Sequence, residues 1–198
     1  MAAGIVSSDY DLRFDSGRAC LDLLATAHPV ERLDSPACLR AWLVGAGLVP
    51  EGARLGRVDP ACVVAFRELR ADIDRLVRGE PATSEAGPLD AALARLNTLA
   101  VAAPPAPRAV RTADGGLVRV LHTDPPGPAL LAAVARDAVE LLTDPVARSC
   151  IRQCEGDNCP LIYLDTSRGR RRRWCSSEVC GNRERVARHR RRTALARA

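Results

Sequence analysis

Lysine is missing altogether: every one of the 29 cationic residues in this 198-residue chain is arginine. Guanidinium groups pair bidentately with phosphate, but lysine is missing from the N-terminal part as well as from the basic end, so a coding bias accounts for its absence first. Also lacking is any apolar run near the roughly 20 residues that a bilayer requires. The opening Met1 to Tyr10 has no basic stretch followed by a hydrophobic one, which is what a secretory leader needs. A cytoplasmic location and no membrane partner are therefore expected. Nor is there a Gly-rich phosphate loop, or a Ser or Cys with an obvious His partner. His28 and His122 are isolated, His189 lies among arginines, and none is assigned to metal. The His- or Cys-led deaminase signature is missing upstream of Cys154, so no enzyme activity is expected.

What the chain does have is eight cysteines, four of them in a telling arrangement. Cys154 and Cys159 form one pair and Cys175 and Cys180 another, each with four intervening residues, and a fifteen-residue segment separates the pairs. Zinc takes four thiolates tetrahedrally, and two short-spaced pairs flanking a hairpin-sized connection supply them without straining the chain. In a reducing compartment paired cysteines favour metal over disulfides. One structural zinc on these four is expected, and a site closed by four thiolates leaves no open position for catalysis. Cys150, four residues before Cys154, competes as a ligand, but a Cys150/Cys154 pair would leave Cys159 unused. Cys20, Cys38 and Cys62 sit on apolar faces and read as small core residues.

The net charge of +5 is unevenly placed. From Cys154 onward twelve arginines face five acids, a balance of +7, which leaves the remainder at −2. A mildly acidic body with a basic end argues for a polyanion partner confined to that end. The other reading of the run is a solvated, solubilising tail. Attachment to a metal site, and arginines on both the hairpin and the following helix, argue against it.

Periodicity predicts helices over 15–27, from Ser35 and Pro36 to Gly45, from Asp59 and Pro60 to Gly79, over 89–101 and over 129–143, with a short one after Asp144 and Pro145 leading into the first metal ligand. Ser or Asp before Pro is a helix start, because the side chain caps free amides and Pro fits the first turn. Asp114, Gly115 and Gly116 between two β-rich runs predict a hairpin. Past the first cysteine pair, 161–164 and 172–174 are expected to form two strands joined by a turn at 165–169, with Cys180 opening a helix. The fold class expected is α+β: a mainly helical N-terminal domain, 1–149, with a small antiparallel hairpin, then a treble-clef-like zinc module, 150–198, of knuckle, hairpin and helix.

Arg172, Arg173, Trp174, Cys175, then Cys180, Gly181, Asn182 and Arg183, preceded by Asp165, Thr166 and Ser167, closely resemble the CGNR zinc finger. Cys20 to Thr26 resemble the Leu-Asp-(apolar)-(apolar)-Asn-Thr opening of the ABATE domain usually joined to it, with Ala25 where that domain has Asn; Arg67, Glu68, Leu69, Leu96 and Asn97 resemble later positions. The resemblance implies a bacterial DNA-binding transcription regulator, with the finger as reader and the N-terminal domain as sensor of a small-molecule effector or as homodimeriser.

Candidate nucleic-acid contacts are Arg170, Arg171, Arg172, Arg173, Arg185, Arg188, Arg190, Arg191 and Arg192. Asp165, Trp174, Gly181, Asn182 and Arg183 are expected to support the metal site, Gly181 by letting an amide meet the thiolates. Arg183 either reaches a phosphate or pairs with Asp165 as a clamp. Trp174 packs beneath the metal or stacks on an unpaired base. The alternative function is a zinc-knuckle adaptor binding RNA or a protein.

Overall fold

Proline and a capping side chain together set the start of three of the described helices. The computed structural model describes residues 10–79 and 87–195, with backbone alone at 191, 194 and 195. Helix α1 (Ala19–Ala25) is buried from Cys20 onward. It is shorter than the pattern suggested because Gly17 turns the chain just before it with a φ of +90°, which only glycine adopts freely. Helix α2 (Pro36–Gly45) begins where the Ser35 hydroxyl accepts the Cys38 amide, and α3 (Pro60–Arg78) where the Asp59 carboxylate accepts the Cys62 amide at 2.8 Å. Each cap satisfies an amide that the first helical turn leaves without a partner.

Helix α3 turns Val63, Phe66, Leu69 and Ile73 inward, and α1, α2, α4 (Gly87–Ala100) and α5 (Gly127–Thr143) pack on it. Trp42 and Phe66 meet edge to face, 5.9 Å between ring centres, and both are wholly buried. Asp72 is 4% exposed, and Arg95 on α4 donates to both its oxygens, at 2.9 and 2.5 Å. Between α4 and α5 the expected hairpin forms from β1 (Pro107–Arg111) and β2 (Leu117–Leu121), paired antiparallel with Val110 opposite Val118. Asp144 then caps the short α6 (Pro145–Arg148) through the Val146 and Ala147 amides.

Asp22 on α1 is 6% exposed and accepts the Ser16 amide at 2.9 Å. Burial outweighs that bond and pushes its carboxyl up to about 7. The folded protein therefore favours the protonated acid. This contribution is full below about pH 4 and is lost as pH rises through 7. Asp22→Asn keeps the acceptor and removes the titration. The variant should be more stable than the parent at pH 8, by at most about 4 kcal/mol, and equal to it at pH 4. Thermal melts at the two pH values check this, and a difference independent of pH would contradict it.

Candidate metal centre

The chain leaves α6 directly into a second hairpin, β3 (Ile151–Gln153) antiparallel to β4 (Ile162–Leu164), with Ile151 opposite Leu164. The first cysteine pair occupies its loop, closed by the Cys154 amide on the Leu161 carbonyl at 2.9 Å and the Cys159 amide on the Gly156 carbonyl at 3.0 Å. This corrects the strand order expected from sequence. The partner of 162–164 is 151–153, which read as helix, and not 172–174. Three residues are too few to display the two-residue period of a strand, so the pattern could not reveal it. The segment from Arg172 to Trp174 instead lies beside the knuckle, its Arg173 carbonyl accepting the Glu155 amide at 2.9 Å. Beyond Cys175, the Ser176 hydroxyl accepts the Glu178 and Val179 amides, and Cys180 opens α7 (Cys180–Leu195) as expected.

These turns bring the four sulfurs of Cys154, Cys159, Cys175 and Cys180 within 4.8 Å of one another. Cys159 and Cys175 are 3.7 Å apart, Cys175 and Cys180 3.6 Å. A tetrahedron of Zn–S bonds near 2.3 Å requires sulfurs about 3.8 Å apart, whereas a disulfide would draw them to about 2.05 Å. The donor set and its spacing fit zinc. Cys154, Cys175 and Cys180 are buried, in a small cluster with Leu161, Tyr163 and Ala25. Cys150 belongs to the core of the helical body instead, and its carbonyl accepts the Asp165 amide. That removes it as a ligand.

The sulfurs differ electrostatically. Burial works against a thiolate at Cys154, but the Cys175 and Gly156 amides at 3.3 and 3.4 Å outweigh it and lower its thiol below the ordinary range. Burial pushes the Cys175 thiol up despite a guanidinium beside it, and pushes Cys180 up to about 11. Gly156 is a supporting residue that the sequence did not suggest. A Cβ there would lie 3.2 Å from the Cys180 Cβ and 3.5 Å from the Cys154 sulfur.

The residues expected to support the metal do so unevenly. Asp165, 1% exposed, accepts the Ser167 amide at 2.9 Å and the Arg172 amide at 3.0 Å. Although burial opposes its charge, these bonds hold its carboxyl below the ordinary value. The expected clamp between Asp165 and Arg183 is absent: Arg183 and Asn182 are exposed, without side-chain hydrogen bonds or ion pairs to the described residues. Gly181 gives its amide to the Ser176 carbonyl and not to a sulfur. Trp174 packs partly buried against the cysteine cluster.

Arg172 is the clamp. Its guanidinium lies 4.5 Å over the Tyr163 ring and donates to the carbonyls of Trp174 at 2.8 Å, Asp15 at 3.0 Å and Cys175. Its inclusion among the nucleic-acid contacts is therefore corrected. Arg173 is half committed, paired with Glu155 at 2.6 Å and lying 5.4 Å over Trp174. Arg185 binds the Gly181 and Ser177 carbonyls at 3.2 and 3.1 Å and reinforces the start of α7. Arg170, Arg171, Arg188, Arg190 and Arg192 are exposed, and none forms an ion pair with the described residues. The side chain of Arg191 lies outside those described.

The finger is also joined to the helical body. The Leu164 amide donates to the Ser16 carbonyl at 2.8 Å, Arg78 on α3 donates to the Pro160 carbonyl at 3.0 Å, and Ala25 packs among the cysteines. Comparison with known proteins gives two matches in the chain. Residues 17–145 match ABATE, described as "Putative stress-induced transcription regulator", and residues 151–193 match the CGNR zinc finger. No curated protein matches it.

Proposed function

Because this chain belongs to the ABATE family and closes with a CGNR zinc finger, we propose that it is a transcription regulator that grips DNA with the arginines its metal centre holds in place. The observation that carries this reading is the separation of roles among the arginines. Arg172 is spent on the fold, whereas Arg170, Arg171, Arg188, Arg190 and Arg192 stand exposed on the turn and on α7, with no ion pair to the described residues. Phosphates recruit such groups, and each one neutralised releases a counterion. One structural zinc cross-links the knuckle to the start of α7. Four thiolates close the coordination sphere, which is why no catalytic role is proposed.

No helix among the described residues is long and apolar enough to cross a membrane. An effector of the helical body would have a cleft of about 790 Å³ beside α2, lined by Val44, Leu55 and Ala53 with Arg40 and Glu51.

The test is a titration of zinc-loaded full-length protein against duplex DNA and against a structured RNA at several salt concentrations. With five phosphate contacts, log affinity for the duplex falls against log salt with a slope of about −4 to −5. A slope near zero removes the nucleic-acid reading. Tighter binding to RNA at matched salt favours the adaptor reading instead.

A further inference from the structure

We infer that Arg13 is part of the metal centre, holding the Cys175 sulfur in position and offsetting its charge from the opposite end of the chain. The residue precedes both matched regions, which begin at 17 and 151. Its Nη2 donates to the Cys175 sulfur at 3.3 Å and also to Asp15 Oδ2 at 2.9 Å. Both side chains are sheltered, at 18% and 23% exposure, so solvent screens the contact little.

The sulfurs receive outside help unequally. Cys154 takes two backbone amides, while among the described residues the donor to Cys175 from beyond the cysteine set is Arg13. Four thiolates around a divalent ion leave two net negative charges. Cys175 is 0% exposed, so water cannot compensate its share.

The backbone delivers Arg13 to this position. The Ser16 carbonyl is fixed by the Leu164 amide at 2.8 Å and the Asp15 carbonyl by Arg172 at 3.0 Å. Gly17, at φ +90°, runs so close to β4 that a Cβ would lie 3.3 Å from that of Leu164. A chain that needs a residue from this strap for its metal has a finger incomplete without the N-terminal domain.

The inference rests on the centre holding zinc, and the experiment separates the two. Zinc content of the full-length protein is measured first, then the rate of zinc transfer to a chelating dye for the parent, Arg13→Gln, Arg13→Lys and Arg32→Gln. The last breaks the pair between Arg32 and Asp11 on the same strap without touching the centre. Partners of metal ligands typically change affinity by 10- to 100-fold. Arg13→Gln should therefore release zinc roughly 10 to 100 times faster. Its cobalt-substituted form should show a shifted thiolate-to-metal absorption band.

Arg13→Lys should recover at least half of the loss, and Arg32→Gln should match the parent. Release by Arg13→Gln within about twofold of the parent overturns the inference. So does an equal effect of Arg32→Gln, which would assign the role to the strap alone. A parent without zinc overturns the metal reading itself.

Discussion

Serine at Cys175 abolishes stoichiometric zinc binding and melts residues 150–190, while α3 and α5 stay folded. Cys175 is the wholly buried sulfur, 3.7 Å from Cys159 and 3.6 Å from Cys180. A structural zinc contributes on the order of 10 kcal/mol to a small module of this kind. The finger's own apolar cluster is small, chiefly Leu161 and Tyr163 with the cysteines, and cannot replace that contribution.

The expected readouts are metal content near zero and loss of hydrogen-exchange protection across β4 and the start of α7. Protection should fall as well at Ser16 and in α1, because Leu164 and Arg172 hold that segment. Chelation of the parent should reproduce the pattern. A Cys175→Ser protein that keeps both metal and protection shows that the four thiolates do not organise this end of the chain.

Replacing Arg188, Arg190 and Arg192 together by Gln weakens duplex binding by about 100-fold at 0.1 M salt and reduces the salt slope by about 3, at roughly 0.9 per phosphate contact. Metal content and melting temperature stay unchanged, since these side chains are exposed and form no hydrogen bond or ion pair with the other described residues. Arg172→Gln behaves in the opposite way: it removes the bonds to the Trp174, Asp15 and Cys175 carbonyls, and so zinc retention falls before any phosphate contact is concerned. Equal salt slopes for the triple variant and the parent would place the polyanion elsewhere.

The contrast among these arginines shows how far the sequence could be read. Starts of helices were legible at Ser35, Asp59 and Asp144 because capping is local chemistry between a side chain and amides two or three residues on. The β1–β2 hairpin was legible for the same reason, from its Asp-Gly-Gly turn. Strand β3 was not, since its three residues carry no periodic signal and its identity comes from pairing with β4. Within the arginine run, Arg171, Arg172 and Arg173 look alike on paper. Arg171 is exposed with no ion pair to the described residues, Arg172 lies over Tyr163, and Arg173, also exposed, pairs with Glu155.

The sequence by itself determined the α+β class, the four thiolates, and the concentration of positive charge at one end, because capping, metal-ligand spacing and charge are properties of neighbouring residues. Only the tertiary structure decided that Cys150 faces the helical core, that Arg172 and not Arg183 is the clamp, and that Arg13 reaches Cys175 across 162 positions of chain. Those outcomes depend on where two distant segments are brought together, and no local pattern encodes the direction in which a buried guanidinium finds its acceptors.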